Sequence, residues 1–215
     1  MNFFSHAAVA GRFSTRPAFF LGAMLPDFCS MLGLRAPELI DTSLAAGVHF
    51  HHVTDHAFHE LARFRDFCRE AARALHDRGV ARGTARAVAH VGIELFLDGV
   101  FAENDADRSA YLAGLEVGRK GGTDCGMRWA EADGGARLLH LTTTLAERGV
   151  VAKVSDQAML ERLERALARR PRLAIAAVDR ERVADWVELA RPRVVASAPL
   201  LVAELTSELE RRMAA

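Results

Sequence analysis

Histidine and carboxylate side chains recur at four-residue spacing in two segments of the sequence. His51, Asp55 and His59 form one such series within GVHFHHVTDHAFH at residues 47–59. A four-residue step on a helix advances only about 40° around the axis, so neighbouring members of the series share a face. An imidazole and a carboxylate on one face are suitable ligands for one divalent metal ion. The spacing therefore predicts that His51 and Asp55 bind a metal together.

The same segment holds more imidazoles than one site can use. The histidines within residues 49–59 are His49, His51, His52, His56 and His59. They cannot all point inward, and for some of them the alternative is an ordinary surface position. We predict that at least two bind metal. We also predict that His52 or His59 is a catalytic residue that donates a proton to the leaving oxygen.

A second series, His90, Glu94 and Asp98, lies within AHVGIELFLD at residues 89–98. Its neighbours are almost all apolar, which predicts a central helix. A charged Glu94 in such surroundings needs a partner, either a metal ion or a histidine of the first segment. Asp98 is nearer the helix end and is expected to be solvated. We predict His90 and Glu94 as metal ligands.

Two further residues complete the candidate set of metal ligands. His6 ends the apolar opening MNFFSH, and Asp27 follows Pro26 in GAMLPDF. Because proline disfavours helix at the residue before it, we expect the chain to turn at Leu25 and to place Asp27 at a helix end. The alternative role for Asp27 is the N-cap of a short following helix. Taken alone, the N-cap is the preferred role for Asp27, and the assignment of His6 and Asp27 as metal ligands rests on the family resemblance described below.

The elements that must position these residues are helices. Apolar residues recur at steps of three and four along most of the chain, and alternating strand patterns are nearly absent. We predict an all-α fold, a single bundle of about 8–10 helices in one domain spanning residues 1–215. The glycine-rich segment 120–135 is predicted to be a loop. The predicted helices cover 2–10, a range from Pro17, a range from Pro37 towards Asp55, 60–77, 84–102, 105–119, 135–148, 156–169, 180–190 and 193–213.

The composition of the chain indicates which binding partners and which cellular location are expected. The formal net charge of the 215 residues is zero, so the basic footprint that nucleic-acid binding needs is absent. No run of about 20 uncharged apolar residues occurs, so no membrane span is predicted. Cys29, Cys68 and Cys125 are widely spaced and form no C-x-x-C pair. This cysteine usage favours a reducing, cytoplasmic location.

One local basic feature stands out in the C-terminal third. It consists of Arg162, Arg165, Arg169, Arg170 and Arg172. It is either a solvated helix face paired with nearby glutamates or a contact for an acidic partner or a phosphate. No nucleophile elbow, phosphate-binding loop or dinucleotide-binding motif occurs beside the metal-ligand candidates.

Taken in order, these segments resemble the acyl carrier protein phosphodiesterase family. MNFFSH resembles the family's opening, GAMLPDF its glycine-to-aspartate–phenylalanine segment, and GVHFHHVTD its glycine–aliphatic–histidine stretch. ARRPRL at 168–173 is similar to an arginine–proline segment in the family's C-terminal third. The resemblance covers most of the chain, through motifs that are each short.

The resemblance implies an HD-domain-like fold and hydrolysis of the phosphodiester that joins 4′-phosphopantetheine to a serine of acyl carrier protein. It implies a divalent metal, manganese first with iron or zinc as alternatives, at His6, Asp27, His51 and Asp55. It also implies an acidic acyl carrier protein as partner, for which the candidate contacts are Arg169, Arg170 and Arg172.

The chain departs from the family pattern at several ligand positions. His59 stands where the family usually has a second aspartate, His90 and Glu94 stand on two later aspartates, and Leu95 replaces an adjacent histidine. Most of these changes exchange one ligand type for another, which preserves a metal site but leaves the metal and the substrate open.

Two other function classes remain open. One is a different helical metal hydrolase, of the phospholipase C-like or nucleotide phosphohydrolase type, which a deep apolar groove would favour in the lipid case. The other is a non-catalytic helical binding protein stabilised by a fully coordinated metal. The sequence does not determine the oligomeric state.

Overall fold

The computed structural model describes residues 1–120, 126–151 and 153–214, and these residues are almost entirely helical. The predicted all-α class is therefore confirmed, whereas the relation to HD-type folds stays a prediction. Nine α-helices occur within the described ranges. The elements in chain order are α1 (Phe3–Ala10), α2 (Pro17–Leu32), β1 (Glu38–Leu39), α3 (Thr42–Glu60), α4 (Ala62–Asp77), α5 (Arg82–Ala102), α6 (Asp105–Gly118), β2 (Met127–Arg128), α7 (Gly134–Arg148), α8 (Asp156–Leu167), a 3-10 helix (Ala177–Asp179) and α9 (Arg180–Ala214).

Internal contacts divide the chain into two compact units. Unit 1 consists of Met1–His56 and Phe101–Val151, and unit 2 consists of Ala57–Val100 and Ala152–Ala215. Helices α3 and α5 each pass from one unit to the other. The organisation as one domain over residues 1–215 stays a prediction, and each unit is described by itself.

Unit 1 is built around α1, α2 and α6. Asn2 begins α1 because its side chain accepts a hydrogen bond from the Phe4 amide at 3.0 Å. Phe4 then packs edge-on against Tyr111 of α6, with ring centroids 4.9 Å apart. The short strands β1 and β2 pair antiparallel, with Glu38 opposite Arg128. The prediction that α3 begins at Pro37 is wrong, because this strand pairing occupies the segment before Thr42.

Helix α2 continues through Pro26, so the predicted turn at Leu25 is wrong. A proline inside a helix costs about 3 kcal/mol through the lost hydrogen bond and the clash with the preceding turn. Leu25 and Phe28, on either side of it, are fully buried, and burial of each such side chain contributes about 1.5–3 kcal/mol. Packing therefore outweighs the local penalty. As a result Asp27 lies in the interior of the helix, not at its end or at an N-cap.

Unit 2 contains α4, most of α5, α8 and α9. Trp186 of α9 lies so close to Gly92 of α5 that a Cβ atom there would meet the indole at 2.6 Å. An ion pair between Arg180 and Glu164, with Nε and Oε1 2.8 Å apart, links α9 to α8. Two helices were predicted over 180–213, but α9 is one continuous helix that includes Pro192 and Pro199. Its buried face runs along its whole length, which favours continuity over a break.

Helices α2 and α3 approach closely where two glycines meet. A Cβ atom on Gly22 would lie 2.2 Å from the Leu44 carbonyl oxygen, and one on Gly47 would lie 2.2 Å from the Phe19 carbonyl oxygen. Only glycine permits such a backbone contact. Gly47 lies one turn before His51, so the contact sets the position at which α3 presents His51 to α2.

Candidate metal sites

Six of the eight predicted site residues form two groups, one in each unit, whose members each offer a ligand atom within 4.8 Å of the others. Asp55 and His52 belong to neither group, so His51 and Asp55 are not in one group as the spacing predicted. The group in unit 1, called the buried group, consists of His6, Asp27 and His51. The group in unit 2, called the open group, consists of His59, His90 and Glu94. His59 was predicted to be a proton donor, and the structure places it among predicted metal ligands.

His51 is oriented by the backbone of α2. Its Nδ1–H donates a hydrogen bond to the Ala23 carbonyl oxygen at 2.8 Å, which leaves the lone pair on Nε2. A hydrogen bond from the second ring nitrogen to a carbonyl is the arrangement that orients metal-binding histidines. Burial lowers the pKa of His51 to about 4, against the opposing effect of the Ala23 carbonyl. The ring is therefore neutral near pH 7, as a ligand must be.

His6 stacks on His51, with ring centroids 3.9 Å apart. Its side chain is 0% exposed, and burial lowers its pKa to about 3 although the nearby Asp55 acts in the opposite direction. Within the described part of the chain, neither ring nitrogen has a hydrogen-bond partner. Oδ1 of Asp55 lies 3.7 Å from Nε2. This neutral, buried imidazole therefore lacks the partner that a buried polar group normally has.

The two aspartates of unit 1 differ in their surroundings. Asp27 projects from the interior of α2 and belongs to the buried group. Asp55 has a side chain that is 40% exposed, and it accepts a hydrogen bond from the Met1 amine at 3.0 Å. Asp55 therefore lies next to His6 at the solvent-exposed edge of the buried group.

The open group is a small triangle of ligand atoms. The Nε2 atoms of His59 and His90 lie 3.2 Å apart, and Glu94 Oε1 lies 3.2 Å from the first and 3.1 Å from the second. The two rings are nearly parallel, with an interplanar angle of 9°. Burial alone would raise the pKa of Glu94, but hydrogen bonding to the two imidazoles lowers it below its usual range. Glu94 is therefore ionised near neutral pH.

Aromatic and sulfur side chains surround the open group. Phe64 makes T-shaped contacts with both imidazoles, with centroid distances of 5.4 Å to His59 and 5.3 Å to His90. Burial raises the pKa of Cys68 to about 12, and the negative charge of Glu94 adds to the effect. In the metal-free protein Cys68 is therefore a neutral thiol near pH 7.

The remaining candidates lie outside the two groups. His52 is exposed, with its ring centroid 5.3 Å from that of His51. Asp98 was expected to be solvated near the helix end, but it is buried. Arg169, Arg170 and Arg172 are exposed and follow the end of α8.

Three features of the two groups were not identified from the sequence. They are the Ala23 carbonyl that orients His51, the Met1 amine beside Asp55, and Phe64 beside the paired imidazoles. Backbone carbonyl and amine groups do not depend on the residue type, so the sequence does not indicate these two contacts. Phe64 belongs to the regular apolar face of α4, so its spacing indicates only a core position.

Cys29 and Cys68 are free thiols, and Cys125 lies outside the described residues. Among the described helices, none combines the length and the apolar character that crossing a membrane requires.

Comparison of the chain with models of known families, with curated proteins and with solved structures gave no match. The resemblance to the acyl carrier protein phosphodiesterase family stays a prediction.

Proposed function

We propose that this chain is a metal-dependent phosphodiester hydrolase whose divalent ion is held by His6, Asp27 and His51. The observation that carries the proposal is the lack of a hydrogen-bond partner for either ring nitrogen of the fully buried His6 within the described residues. Such a polar group costs about 1–3 kcal/mol. A cation at the point where the three ligand atoms converge would give one of the two ring nitrogens a partner. Two imidazoles and a carboxylate suit manganese, iron or zinc, and manganese is our first choice because of the family resemblance.

The side chains around the buried group have separable tasks. Bound there, the ion would polarise a phosphoryl oxygen and lower the pKa of a water molecule. Ala23 holds His51 in the tautomer that keeps Nε2 free to bind. Asp55 carries negative charge at the solvent-facing edge, beside His6. His52, exposed next to His51, is our candidate for the group that protonates the leaving oxygen.

For the substrate we propose holo-acyl carrier protein, with loss of its 4′-phosphopantetheine. This choice rests on the ordered sequence resemblance and on the exposed arginines after α8. Arg169, Arg170 and Arg172 are the proposed contacts for the acidic carrier protein. A reducing, cytoplasmic setting belongs to the same proposal, since Cys29 and Cys68 are free thiols.

One observation favours a second substrate class, a lipid phosphodiester. Unit 2 contains a cavity of about 310 Å³ with a mainly apolar wall that includes Phe67, Ile93 and Trp186. Arg78, Arg193 and Glu70 also line it, and Glu70 forms an ion pair with Arg193 at 3.1 Å, so Arg78 is the candidate contact for an anionic group. This volume is at the lower end of the range for small-molecule sites, about 300–1,000 Å³. An apolar chain with an anionic head group matches such a lining.

The test begins with chelator-treated protein assayed on bis(p-nitrophenyl) phosphate with and without Mn²⁺. We expect hydrolysis only with metal, and a loss of more than about 100-fold in His51→Ala. His49→Ala is the matched control, because His49 is exposed on the same helix and belongs to neither group. Equal metal-dependent rates in His51→Ala and His49→Ala would refute the proposed site.

The same preparation separates the substrate classes. Mass spectrometry of holo-acyl carrier protein after incubation with Mn²⁺ and the protein should show loss of phosphopantetheine. Turnover of a phospholipid instead would favour the second class. Metal binding that raises the Tm without turnover of any phosphodiester would favour the non-catalytic class and reject the enzyme proposal.

A further inference from the structure

We propose that the open group, His59, His90 and Glu94, is a second metal site that binds a zinc-class divalent ion at a solvent-accessible position. This inference goes beyond the proposed function, which rests on the buried group of unit 1.

The size of the triangle matches a metal coordination shell. Its three edges measure 3.2, 3.2 and 3.1 Å between ligand atoms. Nitrogen and oxygen ligands at 2.0–2.1 Å from a tetrahedral ion lie roughly 3.3 Å from one another. The triangle therefore has the dimensions of one face of a coordination tetrahedron. An ion placed over that face reaches all three atoms without rearrangement of the helices.

The protons of the group point to the same conclusion. Without metal, the two Nε2 atoms and Glu94 Oε1 lie at hydrogen-bonding distances from one another. When both Nε2–H groups donate to the carboxylate, the positive ends of two N–H dipoles lie side by side on nitrogens 3.2 Å apart. A cation that replaces both protons lets two nitrogen lone pairs and one carboxylate oxygen point at a single positive centre. Its charge also compensates the largely buried carboxylate.

The ligand types and their exposure define the kind of ion. Two imidazoles and one carboxylate form the His₂Glu set found in catalytic zinc sites, where a fourth position stays open for water or an anion. The side chains of His59, His90 and Glu94 are 30%, 44% and 12% exposed. Solvent therefore reaches the imidazole side of the triangle, which leaves room for a fourth ligand.

Helix geometry and packing hold the group in place. His90 and Glu94 are one turn apart on α5, so they share a face. His59 lies in the last turn of α3, and its ring stacks on His90 with centroids 4.9 Å apart. Phe64, which is buried, makes T-shaped contacts with both rings and limits their rotation. Ligands held in this way lose little freedom when the ion binds.

The experiment isolates this site from the buried group. Chelator-treated full-length protein carrying His51→Ala is titrated with Zn²⁺ by calorimetry, and we expect about one ion per chain. Adding Glu94→Gln should weaken the affinity by about 100-fold or more. Adding Glu103→Gln, an exposed glutamate, should leave the affinity unchanged. With Co²⁺ the first protein should show the strong visible absorption of a four-coordinate ion, and Glu94→Gln should abolish it.

The outcomes separate this inference from the proposed function, because the titration does not measure activity. Absence of Zn²⁺ binding by His51→Ala, or equal affinities with Glu94→Gln and Glu103→Gln, would overturn the second site. If circular dichroism shows that His51→Ala is unfolded, the same glutamate pair is compared in the wild-type chain. There we expect the stoichiometry to fall from two ions to one in Glu94→Gln alone, and an unchanged stoichiometry would overturn the inference.

Discussion

Two stacked imidazoles with lowered pKa values, His6 and His51, make the stability of the metal-free protein depend on pH. In the folded state their pKa values are about 3 and about 4, whereas an unfolded histidine titrates near 6.5. Below pH 6.5 the unfolded chain therefore binds protons that the folded chain does not, and stability falls as the pH falls. The stabilising effect of the neutral rings is fully present above about pH 6.5.

We predict that each histidine contributes a slope of up to about 1.4 kcal/mol per pH unit between pH 6.5 and 5. Urea unfolding with a chelator present measures it. His6→Leu removes one titrating group and should reduce the slope, whereas His140→Ala, an exposed histidine, should not. A slope that is the same in wild type and His6→Leu would show that His6 is protonated in the folded state.

Asp55 is the second residue whose change is informative. We predict that Asp55→Ala abolishes most phosphodiesterase activity, because Asp55 supplies the negative charge beside His6 at the exposed edge of the buried group. The rise in Tm on adding Mn²⁺ should also shrink, since the site loses electrostatic support for the cation. Steady-state kinetics and thermal unfolding measure the two effects. Asp77→Ala, an exposed aspartate of unit 2, is the control, and identical behaviour of the two variants would contradict the role of Asp55.

At the scale of elements, the crossing of α2 and α3 positions the buried group. We predict that Gly47→Ala destabilises the protein by about 3 kcal/mol or more, because the added Cβ would lie 2.2 Å from a backbone carbonyl oxygen that cannot move alone. Gly99→Ala on α5 is the matched control. Nothing lies within 4 Å of a Cβ there, so this change should stabilise the helix by about 0.5–1 kcal/mol. Chemical denaturation measures the free energy of unfolding of both variants. An unchanged free energy in Gly47→Ala would mean that α2 and α3 can move apart without loss of stability.

The helices and their faces could be predicted from periodicity, but their continuity could not. The four-residue spacing correctly indicated that His51 and Asp55 occupy one helix. The breaks expected near Pro26 and Pro192 do not occur, because the penalty of proline is local whereas the packing that offsets it depends on distant parts of the chain. A single sequence shows the local penalty of proline, but it does not show the packing that offsets this penalty.

The candidate site shows the same division. Residue type and spacing indicated the pair His90 with Glu94, which lie in one group, whereas Asp55 lies outside the group that contains His51. The grouping of His6 with His51 depends on how α1 packs against its neighbours, and no local pattern encodes that contact. The hydrogen bond from His51 to Ala23 involves a backbone atom, which every residue type offers equally.

At the scale of the whole molecule, charge decides how an acidic partner can be attracted. The net charge is zero, with 28 basic and 28 acidic residues, so attraction must come from a local surface. We predict that Arg169→Glu with Arg170→Glu weakens turnover of holo-acyl carrier protein and spares bis(p-nitrophenyl) phosphate. The effect should shrink at high salt, because exposed charges are screened over about 10 Å at 0.1 M. Kinetics on both substrates at two salt concentrations measure it.

A control for this prediction changes the net charge by the same amount elsewhere. Arg86→Glu with Arg148→Glu alters two exposed arginines on α5 and α7. We expect it to leave carrier-protein turnover close to wild type. Equal losses in the two double variants would indicate a general charge effect and would remove the arginines after α8 as the docking contact.

The contact between Gly22 and Gly47 also has a consequence in the genetic code. Every amino-acid replacement reachable from a glycine codon by one nucleotide change introduces a Cβ atom, and at either position that atom would lie 2.2 Å from a carbonyl oxygen of the opposite helix. Most core positions have a codon neighbour of similar size, such as valine for isoleucine, but these two have none. Any replacement of Gly22 or Gly47 would therefore disturb the position of His51 relative to α2. We expect only silent nucleotide changes to be tolerated in these two codons.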